Sequence, residues 1–243
     1  MSFNVAVGWP LAIVCASDRR LVDLLSGQIR TNRSTKMTVF GCSDAHGVIV
    51  YNGIGMDDEG LTPSDWLLEL EEKEKLFGCG LSDVLQLVGT DLEIRLHRIR
   101  SKYGPKKARH TFVIAAWHQN SSGIYCISNY ERVGDKEEFF EGSEKVMHSA
   151  SLPTQESQIR IVTTGVRPPM ADLRAISEAV KTGSLNRIKA RCVKAVRDVA
   201  YRRGIIKGTV GASAQWAVVG PERVRCGTDL TLSAAQSRKK PRT

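Results

Sequence analysis

Apolar and polar residues alternate from Phe3 to Val7, and a short apolar run from Leu11 to Ala16 follows the turn residues Gly8-Trp9-Pro10. Such runs bounded by turn residues predict a pair of strands. After a polar stretch, Lys36 to Gly41 (KMTVFG) and Gly47 to Gly53 (GVIVYNG) predict a second pair, joined by Cys42-Ser43-Asp44-Ala45-His46. The period then changes to that of a helix. Thr62 is suited to cap it, Pro63 to the first helical position, and Asp65 to the positive end of the dipole. This helix is expected to reach about Phe77 and to stop at Gly78 and Gly80. Ser82 is expected to open a second helix, whose apolar positions Leu81, Leu85, Val88, Leu92, Leu96 and Ile99 recur every three or four residues up to Tyr103-Gly104-Pro105.

Strands resume at Thr111 to Trp117 and Ile124 to Ser128, with the turn Gln119 to Gly123 between them. Glu131 to Ser157 is charged and is read as irregular surface chain. A strand at Ile159 to Thr164 leads through Gly165 to the helix-breaking pair Pro168-Pro169. Two helices follow, Met170 to Thr182 and Ser184 to about Tyr201, the second with Leu185, Ile188, Cys192, Val196 and Val199 on its inner face. Ala212 to Val219 and Val224 to Cys226 close the series as strands. Hairpins interleaved with helix pairs do not suit a doubly wound parallel sheet, which needs strand-helix-strand crossovers. The expected fold class is α+β: a four-layer α/β/β/α sandwich of two antiparallel sheets flanked by helix pairs. One domain is expected over residues 2–230, followed by a basic, disordered tail at 231–243.

The chain has 243 residues, 42% hydrophobic and 25% charged, which fits a globular protein. No apolar run approaches the ~18 residues of a membrane helix, and no basic region precedes an apolar stretch as in a signal peptide. The six cysteines are scattered, with no Cys-x-x-Cys pair, and the five histidines are dispersed. Reduced, mostly buried thiols in a cytoplasmic protein are therefore expected, with no metal and no cofactor. The net charge of +9 raises nucleic-acid binding as a class. Four of those charges, Arg238, Lys239, Lys240 and Arg242, sit in the last six residues, and no basic strand is interleaved with aromatics. Neither nucleic acid nor membrane is an expected partner.

No Walker loop, Gly-x-Gly-x-x-Gly, Gly-x-Ser-x-Gly or His-Glu-x-x-His is present. Three short features in the first sixty residues could carry chemistry. Ser2 follows the initiator methionine, and loss of Met1 would leave a free amine beside a hydroxyl. A terminal amine titrates near ~8, so such a serine carries its own general base. Serines at this position are common, so the residue alone says little. Ala16-Ser17-Asp18-Arg19-Arg20 ends an apolar strand and reads equally as a strand-end turn. Lys36 leads the next strand, where a solvated edge charge is usual, and Tyr51-Asn52-Gly53-Ile54-Gly55-Met56-Asp57 follows the strand after it.

Together these features resemble the β-type proteasome subunits of the N-terminal-nucleophile hydrolases. With Ser2 as the first residue, Asp18-Arg19-Arg20 matches the family's Asp-x-Arg, Lys36 its strand-leading lysine, and Tyr51, Gly53, Gly55 and Asp57 its Tyr-x-Gly-x-Gly-x-Asp. The layout matches to about Val219. The resemblance implies a hydrolase of peptide or other amide bonds. Ser2 would be nucleophile and, through its amine, base. Lys36 would stabilise the developing charge, Asp18 would orient Lys36, and the Gly53 N–H would serve the oxyanion. Arg20, Thr164 and Asp198 are the implied supporting residues. Serine stands where the family usually carries threonine, and no serine follows Asp198 by three residues. A homo-oligomer, even a ring, is implied by the same resemblance. The alternative is a non-catalytic member of the fold, acting as an assembly module.

Overall fold

The computed structural model describes residues 2–23, 26–133, 136–139, 147–151, 159–202 and 210–229. The expected tail at 231–243, Met1 and part of the Glu131 to Ser157 segment lie outside them. The strands before the first helix are β1 (Phe3–Trp9), β2 (Ala12–Asp18), β3 (Leu21–Val22), β4 (Ile29–Thr31), β5 (Met37–Gly41) and β6 (Ala45–Gly53). Helices α1 (Pro63–Glu74) and α2 (Leu81–Tyr103) follow. Then come β7 (His110–His118), β8 (Ser121–Ser128), β9 (Tyr130–Val133), β10 (Lys136–Phe139), β11 (Met147–Ser151) and β12 (Arg160–Gly165). The chain continues through α3 (Met170–Lys181), α4 (Leu185–Arg202), β13 (Ala214–Val219) and β14 (Val224–Asp229).

One five-stranded sheet runs β12-β1-β2-β13-β14, and another runs β11-β8-β7-β6-β5. Every pairing in both is antiparallel. Two further sheets are two-stranded ribbons, β3-β4 and β9-β10. This corrects the expected four-layer α/β/β/α sandwich of two sheets, because the described residues form four sheets from fourteen strands. The reason is physical. Two- and three-residue strands such as β3 and β4 are too short to show a period of two. β9, β10 and β11 lie in the charged stretch read as irregular.

Burial divides into three clusters. Alternate residues of β1 and β2 go to opposite faces, as the strand period requires. Phe3, Val5, Val7, Val14 and Ala16 meet Ile176, Ile188, Cys192, Val196 and Val199 of α3 and α4. Ala6, Ile13 and Cys15 meet Val48, Val50, Val113, Ala115 and Ile124 of the other large sheet. Ile49, Tyr51, Phe112 and Ile114 face Trp66, Leu70, Val88, Leu92, Leu96 and Ile99 of α1 and α2. Each fully buried Leu or Ile contributes roughly 1.5–3 kcal/mol, so the inner row of α2 fixes the helix to its sheet. β1 is buried along its whole length. Its polar member, Asn4, is satisfied internally: Nδ2 donates to Tyr51 O at 2.9 Å and Thr164 Oγ1 at 3.1 Å, and Oδ1 accepts from Ser17 Oγ at 2.6 Å.

Helix α1 begins as its sequence indicates. The Thr62 side chain accepts from the Asp65 N–H while the Asp65 carboxylate accepts from the Thr62 N–H. It ends at Glu74, where Lys75 turns left-handed (φ 51°). Helix α2 starts at Leu81 with Gly80 as its cap, so Ser82 lies inside the helix. All six cysteines are free, with Cys15 and Cys192 buried and Cys226 exposed. No helix among the described residues is long and apolar enough to cross a membrane.

Candidate active site

The site lies where several strands of the two large sheets end together. Ser2 immediately precedes β1, Asp18 closes β2, Lys36 precedes β5, and Asn52 and Gly53 close β6. The register brings Phe3 opposite Gly165 of β12 and Asp18 opposite Ala214 of β13. Residues far apart in sequence therefore converge at one sheet end.

Every polar atom of Ser2 is engaged. Its main-chain N donates to Asn52 Oδ1 at 3.0 Å, its carbonyl accepts from Val166 N at 3.2 Å, and its Oγ accepts from Lys36 Nζ at 2.6 Å. The carbonyl is held through a close approach that only glycine allows: Gly165 has φ +84°, and a Cβ there would stand 1.8 Å from Ser2 O.

Lys36 Nζ also meets Asp18 Oδ1 at 3.0 Å. Lys36 is 1% exposed, Asp18 0% and Ser2 8%. Asp18 accepts four hydrogen bonds: Oδ1 from Lys36 Nζ, Arg20 N and Gly211 N, and Oδ2 from Phe3 N. A group facing four donors suits an ionised carboxylate, which can only accept. Burial pulls the Lys36 ammonium below its ordinary range, the Asp18 carboxylate opposes that pull, and Arg20 adds to it. With its amide oxygen turned toward β5, Gln215 accepts from Lys36 N at 2.6 Å and Met37 N at 3.2 Å, which fixes the start of that strand.

The structure brings Ser2, Asp18 and Lys36 into direct contact. Arg20 joins through its backbone, and its Nε donates to Asn32 Oδ1 at 2.7 Å. Gly53 (φ +114°) is next to Asn52, exposed, and packed so closely that a Cβ would stand 2.1 Å from Arg109 O. Thr164 bonds Asn4, one step along the sheet from Ser2. Asp198 stands on α4, where it pairs with Lys194 one turn away and interacts with Asp172 of α3. No described hydrogen bond or ion pair joins it to Ser2. Asp57 organises the loop before α1, accepting from the N–H groups of Glu59 and Leu61 and from Trp66 Nε1.

Asn52 and Tyr130 are the contributors that sequence reasoning missed. Asn52 Nδ2 donates to Tyr130 OH at 3.0 Å while its Oδ1 holds the Ser2 nitrogen. A polar residue at the end of an apolar strand was the only signal available. Among the described residues, no group of three or more His, Cys, Asp or Glu side chains is placed to hold a metal ion.

No family model matches the chain, and no curated protein does. Solved structures similar to it include an Anbu Gly-1 mutant from Hyphomicrobium sp. strain MC1, at 11% identity over all of both chains with a TM-score of 0.57. Another is Anbu, an ancestral beta-subunit, from Yersinia bercovieri, at 11% identity over 99% of both chains with a TM-score of 0.55. At this identity the likeness is one of fold. It corrects the resemblance to β-type proteasome subunits, since no family model supports the assignment and the Anbu structures named here share the fold alone. The geometry gives a physical reason: the motifs were short, and two of the implied supports, Thr164 and Asp198, make their bonds to Asn4 and Lys194.

Proposed function

We propose that the chain hydrolyses amide bonds, peptides among them, through Ser2 after removal of Met1 frees its amine. One observation carries this reading: the second residue's hydroxyl accepts from a buried lysine at 2.6 Å, and that lysine pairs with a buried carboxylate at 3.0 Å. Taking two charges out of water costs several kcal/mol per ion before their attraction offsets it. An arrangement of this kind at a hydroxyl suits charge stabilisation more than stability.

The geometry supports a definite division of labour. Lys36 donates to Ser2 Oγ, so the hydroxyl's own proton is directed to another acceptor. The free amine of Ser2 takes it as Oγ bonds to the substrate carbonyl carbon. Asn52 Oδ1 orients that amine. The N–H of Gly53 donates to the oxyanion, a contact worth roughly 3–4 kcal/mol in the transition state. Collapse breaks the carbon–nitrogen bond, and the amine returns its proton to the leaving nitrogen. Water then attacks the Ser2 ester and releases the acid. The test is turnover of amide substrates by the processed chain and by Ser2→Ala, since activity retained in Ser2→Ala removes this reading.

A second reading, a non-catalytic module of the same fold acting in assembly, draws on Thr164 and Asp198, neither of which bonds to Ser2. Leu68 of α1 and Ile94 of α2 are 56% and 65% exposed, offering apolar contacts to a further copy of the chain. Retention of Met1 would favour it.

A further inference from the structure

We infer that the chain associates with further copies of itself head to tail, the α3–α4 side of one copy docking on the α1–α2 side of the next. This association is independent of the catalytic reading and holds whether or not Ser2 is a nucleophile. Its basis is where the charge sits. Helices α1 and α2 cover one large sheet, α3 and α4 cover the other, and the two sheets meet through a third buried cluster. The two helix pairs therefore lie on opposite sides of the molecule.

Their charges are opposite as well. Residues 57–103, which hold α1, α2 and the loop before them, carry eleven Asp and Glu against six Lys and Arg. Ion pairs such as Arg98 with Asp57 and Glu59, and Lys102 with Asp58, join residues within that range and leave the excess unchanged. Glu93 and Arg100 are of opposite sign and cancel in the count whatever each of them meets. Residues 167–202, which hold α3 and α4, carry nine Lys and Arg against three Asp and Glu. Setting Arg197 aside for its pair with Asp229 at 2.7 Å leaves eight against three. One side is thus acidic and the other basic, each by five charges.

Exposed helix positions display this excess. On α4, Arg187 and Arg191 are exposed one turn apart and make no ion pair among the described residues. On α1, Glu72 is exposed and Glu71 half-buried, and neither is ion-paired among the described residues. Each side also bares apolar side chains, Leu68 and Ile94 on the acidic side, Met170 and Tyr201 on the basic side. Leu68 precedes Glu71 and Glu72 by three and four positions, so it neighbours both on the helix surface. Two like sides brought together would oppose equal charges, which disfavours symmetric pairing through either one. Basic against acidic attracts, and the contact can then bury the apolar side chains. Such a contact joins different patches and repeats from copy to copy, closing a ring or extending as a filament.

The test is sedimentation of the full-length chain across a concentration series. At about 0.05 M salt, where charges act over more than ~10 Å, the mean mass is expected to rise with concentration. At about 1 M salt, where their range falls to ~3 Å, association should weaken about tenfold. Arg187→Glu/Arg191→Glu and Glu71→Lys/Glu72→Lys should each abolish the rise at low salt. A chain carrying all four substitutions has its local charges exchanged and should regain part of it, which symmetric pairing of like sides would not produce. Glutamine at either pair of positions perturbs folding less and should weaken association by itself. A mass that stays at one chain at low salt overturns the inference, as does association unchanged by glutamine or absent from the fourfold variant. Association that disappears on nuclease treatment also overturns it and gives the basic side to a polyanion.

Discussion

The main-chain nitrogen of Ser2 donates to Asn52 Oδ1 at 3.0 Å. Once that nitrogen is a terminal amine, the same contact aims the base. Replacing the amide by a carboxylate changes the charge at this point and nothing else in shape. Asn52→Asp should favour the ammonium form and move the acid limb of the kcat/KM profile to higher pH, because a nearby negative charge raises an amine's pKa. A purely structural Asn52 would leave that limb in place.

Lys36 acts as a cation in this account, so activity must also fall at high pH. The base must be neutral, which sets a rise through the ~8 typical of terminal amines. Lys36 must stay charged, and burial holds its pKa below the ordinary 10.5. The profile is therefore bell-shaped, with its alkaline limb below 10.5. Asp18 opposes the effect of burial, so Asp18→Asn should shift that limb to still lower pH. A profile that only rises through the Lys36 titration would make neutral lysine the base instead.

The same pair governs stability. Removing one partner of a buried ion pair leaves an uncompensated charge, and Asp18→Ala should cost about 3–5 kcal/mol in denaturant unfolding. Lys36→Met in the Asp18→Asn background should recover part of this, since neither charge then remains buried.

His110 gives an acid-sensitive stability term independent of catalysis. It is fully buried among Tyr51, Trp66 and Phe112, its Nδ1 accepts from Ile54 N at 3.2 Å, and burial lowers its pKa to about 3. The unfolded chain binds a proton near 6.5 and the folded chain does not until about 3. The contribution is complete above 6.5 and is lost as pH falls between these values, at up to ~1.4 kcal/mol per pH unit. Unfolding free energies of wild type and His110→Phe measured between pH 6.5 and 4 should differ in slope by about that amount.

Two glycines of similar φ separate backbone strain from contact. Gly104→Ala (φ 82°, ψ 164°) meets nothing within 4 Å and should cost only the backbone strain of a region essentially reserved for glycine, about 1–3 kcal/mol. Gly165→Ala (φ +84°) puts a Cβ 1.8 Å from Ser2 O. It should unfold far more readily, and its Ser2 should not react.

The sequence was legible where local chemistry decides structure. The Thr62 cap, Pro63 and the periodicity of α2 are found as expected, because capping bonds and a buried helical face are local. The ribbons β3-β4 and β9-β10 were not legible, since two to four residues with charged members carry no period. Asn4 is the polar member of the alternation from Phe3 to Val7, and it is buried because β1 has a helix layer on one side and a sheet on the other. Ser2, Asp18 and Lys36 were named in advance, and the structure joins them. Asn52 and Tyr130 were not, since their role depends on strand ends meeting across 78 residues of chain.

The central claim is that Ser2 becomes a free N-terminal nucleophile. Intact-mass measurement before and after incubation with an acylating β-lactone, with peptide mapping of any adduct, tests it most directly. The account predicts loss of Met1 and a single adduct on Ser2, absent from Ser2→Ala and from Lys36→Met. A chain that retains Met1 and gains no adduct would contradict it.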